Sequence, residues 1–103
     1  MKVNIKDYYP DYQTDCQSYD GFEVGEIVYD GDSVNGCKSI GMIIAIYTKY
    51  GITYRLDSVG CQSNVSKCPD DIAEKALQLL KDGYLAYATP NGDIVNYTEA
   101  TNL

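Results

Sequence analysis

The sequence predicts an α+β domain: a strongly bent antiparallel sheet with one α-helix packed on it and a C-terminal β-hairpin. Three stretches carry that prediction. Ile40 to Ser58 is a pair of β-rich runs bent at Lys49-Tyr50-Gly51, with apolar residues alternating at a period of two. Pro69 to Asp82 repeats its apolar residues at the helical period. Tyr84 to Thr98 is two further β-rich runs around Asn91-Gly92.

In chain order, residues 1 to 20 form an N-terminal arm or long loop. Val3 to Tyr8 offers one short strand, and Pro10 blocks any helix in the polar run after it. Tyr8, Tyr9 and Tyr12 have two readings. Aromatic rings near a terminus anchor it to the sheet, and Tyr among Asp, Gln and Ser also suits a contact surface. Gly21 opens a strand over Phe22 to Tyr29, in which Gly25 marks a bulge or tight bend. Asp30 to Gly36 is dense in turn formers and reads as a loop.

In the central hairpin, Ile40, Met42, Ile44 and Ile46 take one face and Ile43, Ala45 and Tyr47 the other. A strand apolar on both faces belongs in the middle of a sheet. Val59 to Asn64 is a loop, and Val65 begins a brief strand. In the helix, 69 to 82, Pro69 suits the first position, with Cys68 as N-cap; Asp70 and Asp71 face the positive end of the dipole, and Gly83 suits the exit. Ile72, Ala73, Ala76, Leu77, Leu79 and Leu80 fall in one arc and should pack on the sheet. Glu99 to Leu103 should fray.

A chain of 103 residues, 45% hydrophobic, is sized for one domain, 1 to 103, with a single core. No apolar run approaches the ~18 residues of a membrane span, and Met1 to Asp7 lacks an apolar signal core, so a soluble, cytoplasmic protein is expected. Eleven Tyr against one Phe and no Trp leave aromatic contacts to a ring with a polar tip. The net charge of -7 is uneven. Residues 1 to 37 hold eight acids against Lys2 and Lys6, giving -6, and the remainder holds seven acids against six bases, giving -1. That sign disfavours direct nucleic-acid binding, which needs cations for the phosphates, and favours a basic partner.

Phe22 to Val28, Gly41-Met42-Ile43-Ile44-Ala45-Ile46 and Tyr54-Arg55-Leu56-Asp57 together resemble an SH3-like small barrel over residues 21 to 66. The resemblance implies a partial barrel and a general habit of binding. It does not supply the ligand: the peptide-binding branch uses a Trp that this chain lacks, and the basic loop of the nucleic-acid branch here carries Asp30 and Asp32.

Chemical motifs are sparse. Cys16, Cys37, Cys61 and Cys68 include no Cys-x-x-Cys and there is no His, so neither a metal nor another cofactor is expected. Cys61 and Cys68 flank one loop and could lie close together, but four free thiols are the simpler expectation. A reactive Cys68 at the helix start would be opposed by Asp70 and Asp71. Asp30 to Gly36 lacks the ligands of a calcium loop at its fifth and twelfth positions. No nucleophile elbow or phosphate loop occurs, and an enzyme is not expected.

The candidate site is therefore electrostatic. Asp7, Asp11, Asp15, Asp20, Glu23, Glu26, Asp30 and Asp32 would supply one exposed negative patch, with Tyr8, Tyr9 and Tyr12 as contact area. The expected function is non-enzymatic binding of a protein with a basic surface, such as a nuclease or another nucleic-acid-binding protein. In that role the chain would resemble phage- or mobile-element-encoded inhibitors that mimic nucleic acid. The alternatives are a structural module or homo-oligomer subunit pairing through a sheet edge, and a thiol- or metal-dependent protein.

Overall fold

The computed structural model describes all residues, Met1–Leu103. Its strands are β1 (Ser18–Tyr19), β2 (Phe22–Glu23), β3 (Ile27–Val34), β4 (Cys37–Tyr47), β5 (Thr53–Leu56), β6 (Gly60–Gln62) and β7 (Ser66–Lys67), followed by helix α1 (Asp70–Lys81). Strands β8 (Ala86–Ala88) and β9 (Ile94–Asn96) and a short helix α2 (Tyr97–Thr101) complete an α+β fold. No helix is long and apolar enough to cross a membrane.

Strand β4 is the hub. Every residue from Ser39 to Ile46 is buried, as its two apolar faces predict. Along one edge β4 pairs first with β8 at Lys38–Ile40 and then with β5 at Ile43–Tyr47. Along the other it pairs with β3, then exchanges hydrogen bonds at Ile43 with Gly25 and Glu26, and at Ile46 with Asp15 and Cys16. The sheet runs β6-β5-β4-β3-β7 with β8 and β9 branching from β4. It is antiparallel throughout and does not close.

Local chemistry accounts for the elements, including four that differ from expectation. Asp30 to Gly36 is not a loop: β3 extends to Val34, and Asn35 and Gly36 alone make the turn into β4. Both have positive φ, 49° and 79°, which is the twist a two-residue hairpin requires. Val3 to Tyr8 is not a strand. Lys2 bridges Glu26, and Ile5–Asp7 is a 3-10 turn because the Asn4 side chain caps Lys6 N. Glu99 to Leu103 does not simply fray, since Asn96 and Glu99 form a reciprocal capping box that starts α2. Pro69 is the N-cap of α1 and not its first residue, so Cys68 lies outside the helix.

Helix α1 buries Ile72, Ala73, Ala76 and Leu77 against the sheet and half-buries Leu79 and Leu80. Gly83, at φ 80°, ends it: Gly83 N bonds to Leu80 O and Tyr84 N to Leu79 O, satisfying two terminal carbonyls. The main core joins this stripe to Ile27, Val28, Ile40, Met42, Ile43, Ile46, Tyr54 and Leu56.

Candidate functional site

The outer face of β4 and β5 owes its composition to a β-bulge. Ile43 pairs with Leu56, but the next pair is Ala45 with Arg55. The extra residue, Ile44, reverses the alternation in the second half of β4. Ile46, paired with Tyr54, therefore shares the inner face with Ile43, contrary to the strict alternation expected from the sequence. Ala45 and Tyr47 turn outward beside Arg55 and Thr53.

The N-terminal arm crosses this face. Tyr8 N and Tyr9 N both bond to Ile5 O, and Tyr12 N bonds to Tyr9 O, turning the chain around Pro10 and Asp11. The arm is then clamped to β4. Thr14 Oγ1 donates to Cys16 O at 2.7 Å and accepts from Ile46 N at 2.8 Å. Asp15 Oδ2 accepts from Thr48 N at 2.8 Å. Between arm and sheet lies a cleft of about 660 Å³, within the usual size of ligand sites. Tyr8, Tyr9 and Tyr12 wall one side; Tyr47 and Arg55 wall the other over a floor of Ile44 and Ala45. Asp11 and Asp15 also line it. Tyr8 and Tyr12 pack against the core, as the anchoring reading expects, while Tyr9 stays 37% exposed.

The cleft is rich in acceptors. Besides the two carboxylates, the carbonyls from Pro10 to Thr14 make no backbone hydrogen bond. Arg55 is its one cation. Partial burial raises the pKa of the Tyr9 phenol, Asp57 adds to the rise and Arg55 opposes it.

The eleven predicted site residues are divided. Asp11, Asp15, Tyr8, Tyr9 and Tyr12 meet at the cleft, and Asp7 is exposed at the end of the 3-10 turn. Asp20, Glu23 and Glu26 line a separate hollow with Lys2 and Lys67. There Lys67 Nζ lies 2.7 Å from Glu26 Oε2 and Lys2 Nζ 3.6 Å from Glu23 Oε1. Lys67 also stacks 4.5 Å above the Phe22 ring. Asp32 is exposed, with Oδ1 bonded to Ser33 N. Asp30 is fully buried. The single exposed patch is thus corrected. Lys2 and Lys67 neutralise Glu23 and Glu26, and Asp30 is buried and cannot contact a partner.

Asp30 sits in a built polar nest. Ser39 Oγ donates to its Oδ2 at 2.6 Å, Ser58 Oγ to the same oxygen at 2.7 Å, and Asp32 N to Oδ1 at 3.0 Å. Nearby Asp57 accepts from Met42 N at 2.8 Å. Burial raises the Asp57 pKa and Asp30 adds to it, while bonds from the Met42 and Asp57 backbone lower it.

All four cysteines are free. Cys61 is exposed on edge strand β6 and Cys68 is buried just beyond β7, and no disulfide joins them. Burial pushes the Cys68 thiol up to about 11, which keeps it protonated at neutral pH. No group of three or more Cys, Asp or Glu is placed to hold a metal ion.

Sequence reasoning missed the sheet side of the cleft: Ile44, Ala45, Tyr47 and Arg55. Only the bulge turns them outward together, and no Gly at Ile44-Ala45 announces it. Comparison with protein-family models, curated proteins and solved structures gives no match.

The clamp makes a first prediction. Thr14→Val keeps the shape but leaves the buried Ile46 N without its acceptor. Equilibrium urea unfolding should show a loss of about 1–2 kcal/mol, and limited proteolysis should cut the arm faster. An unchanged arm in both assays would mean that Asp15 and Cys16 hold it alone.

Proposed function

We propose that this chain is a non-enzymatic binding module that receives a basic segment of a partner protein in the cleft between the arm and the β4–β5 face. The observation that carries this reading is the assembly of four tyrosines and two aspartates around one concave surface. Rings give contact area at low entropy cost, and the Asp11 carboxylate, which accepts no hydrogen bond while Asp15 Oδ2 holds Thr48 N, suits an ammonium or guanidinium group. The remaining negative charge of the chain supports steering of such a partner over longer range.

Mimicry of nucleic acid would need a continuous run of free carboxylates. Glu23, Glu26 and Asp30 are paired or buried, so local recognition of basic side chains is the better-supported form of the proposal.

The test uses a partner captured on the immobilised chain and then titrated against it. Affinity should fall on the order of tenfold between ~0.05 and ~0.5 M salt as screening shortens the field. It should also fall with an Asp11→Asn, Tyr9→Ser double variant. Affinity that is flat in salt and indifferent to that variant would remove the cleft from consideration.

A further inference from the structure

Arg55 is the only arginine in the chain, and it stands in the cleft. Its position follows from the bulge, which sets β5's Arg55 opposite Ala45 on the outer face. It is exposed, forms none of the ion pairs and makes one long hydrogen bond, Nη1 to Tyr47 Oη at 3.4 Å. A guanidinium held this loosely in a cleft lined by four tyrosines and two aspartates occupies ground suited to a ligand of its own kind.

Resting on the cleft reading above, we infer that the partner segment presents an arginine side chain and that Arg55 is the place-holder it displaces. The choice of arginine over lysine follows from the walls. Tyr9, Tyr12 and Tyr47 line the cleft together with Asp11, and a planar guanidinium can stack on a tyrosine ring while donating to a carboxylate. An ammonium is a compact, strongly hydrated point charge and uses such a surface less fully. Arg55 then sets both threshold and specificity. Its like charge weakens binding of every cation, so only a partner that also stacks displaces it.

The probes are two short synthetic peptides, one alternating glycine with arginine and one alternating glycine with lysine. Each is titrated by calorimetry into the wild-type chain and into Arg55→Gln. The arginine peptide should bind at least about threefold tighter than the lysine peptide. Arg55→Gln should tighten the arginine peptide by about two- to fivefold, the value of one exposed charge. Circular dichroism should be unchanged, since the exposed Arg55 makes no ion pair and only one long hydrogen bond. Weaker binding by Arg55→Gln would make Arg55 a direct contact and overturn its role as place-holder. Equal binding of both peptides would overturn the arginine selectivity while leaving a basic-segment site. No salt-dependent binding of either peptide to either protein would overturn the cleft reading and this inference with it.

Discussion

Gly25→Ala is expected to lose about 3–5 kcal/mol, enough to unfold much of a marginally stable domain of this size. Two independent penalties meet at this residue. Its φ of 94° lies where an L side chain is strained, and an added Cβ would sit 2.3 Å from the carbonyl oxygen of Val3. That oxygen is backbone and cannot rotate aside. Moving Val3 would break Val3 N to Gly25 O at 2.9 Å and disturb Gly25 N to Ile43 O at 2.7 Å. The damage would therefore pass to the bulged half of β4 and loosen the arm above it. Gly60→Ala is the control. Gly60 has nearly the same φ, 86°, but nothing within 4 Å of the added atom, so it should lose only about 1 kcal/mol. Chemical denaturation of both variants separates the terms. Equal losses would show that the chain near Val3 yields freely and that strain in φ is the whole effect.

Asp30→Ala should be the second large loss, about 3–4 kcal/mol. The carboxylate is fully buried and accepts three hydrogen bonds. Deleting it strands the buried Ser39 hydroxyl and opens a small cavity beside β4; bonds to a charged acceptor count for more than neutral ones. Ser58→Ala removes a single donor from a half-buried position and should lose about 1 kcal/mol. The order of the two is the discriminating result. If Ser58→Ala proved the more damaging, the nest would be held by Ser58 packing and not by the Asp30 carboxylate. This role also explains why Asp30 does not belong to a binding surface, although it follows an acidic stretch in the sequence.

What the sequence made legible was the order of elements and the identity of the core. Period-two alternation located β4 and β5, and the apolar arc placed α1 with its buried residues. Three kinds of feature escaped it. Side chains at a strand end are assigned to a face by register, and the bulge at Ile44 changed the register without a glycine to signal it. Capping chemistry competes with strand propensity over few residues, so Asn4 and the Asn96–Glu99 pair turned predicted strand and coil into short helices. Charge adds along a sequence but cancels in space: Lys67, from the second half of the chain, neutralises Glu26 across a sequence separation of 41 residues. Half of the cleft was visible as the tyrosine-rich arm. The other half exists only where the fold lays β5 beneath it.

The central position of β4 has a consequence for the order of assembly. The partners along its edges are drawn from Thr14–Cys16 near the start and from Ala86–Ala88 near the end of the chain. A nascent chain that has emerged only as far as α1 holds an isoleucine-rich strand whose Lys38–Ile40 edge has nothing to bond to. Such an edge is an adhesive surface for other chains. Residues made after α1 therefore cover this association-prone strand, and their removal would expose the protein to its own neighbours before any partner was met.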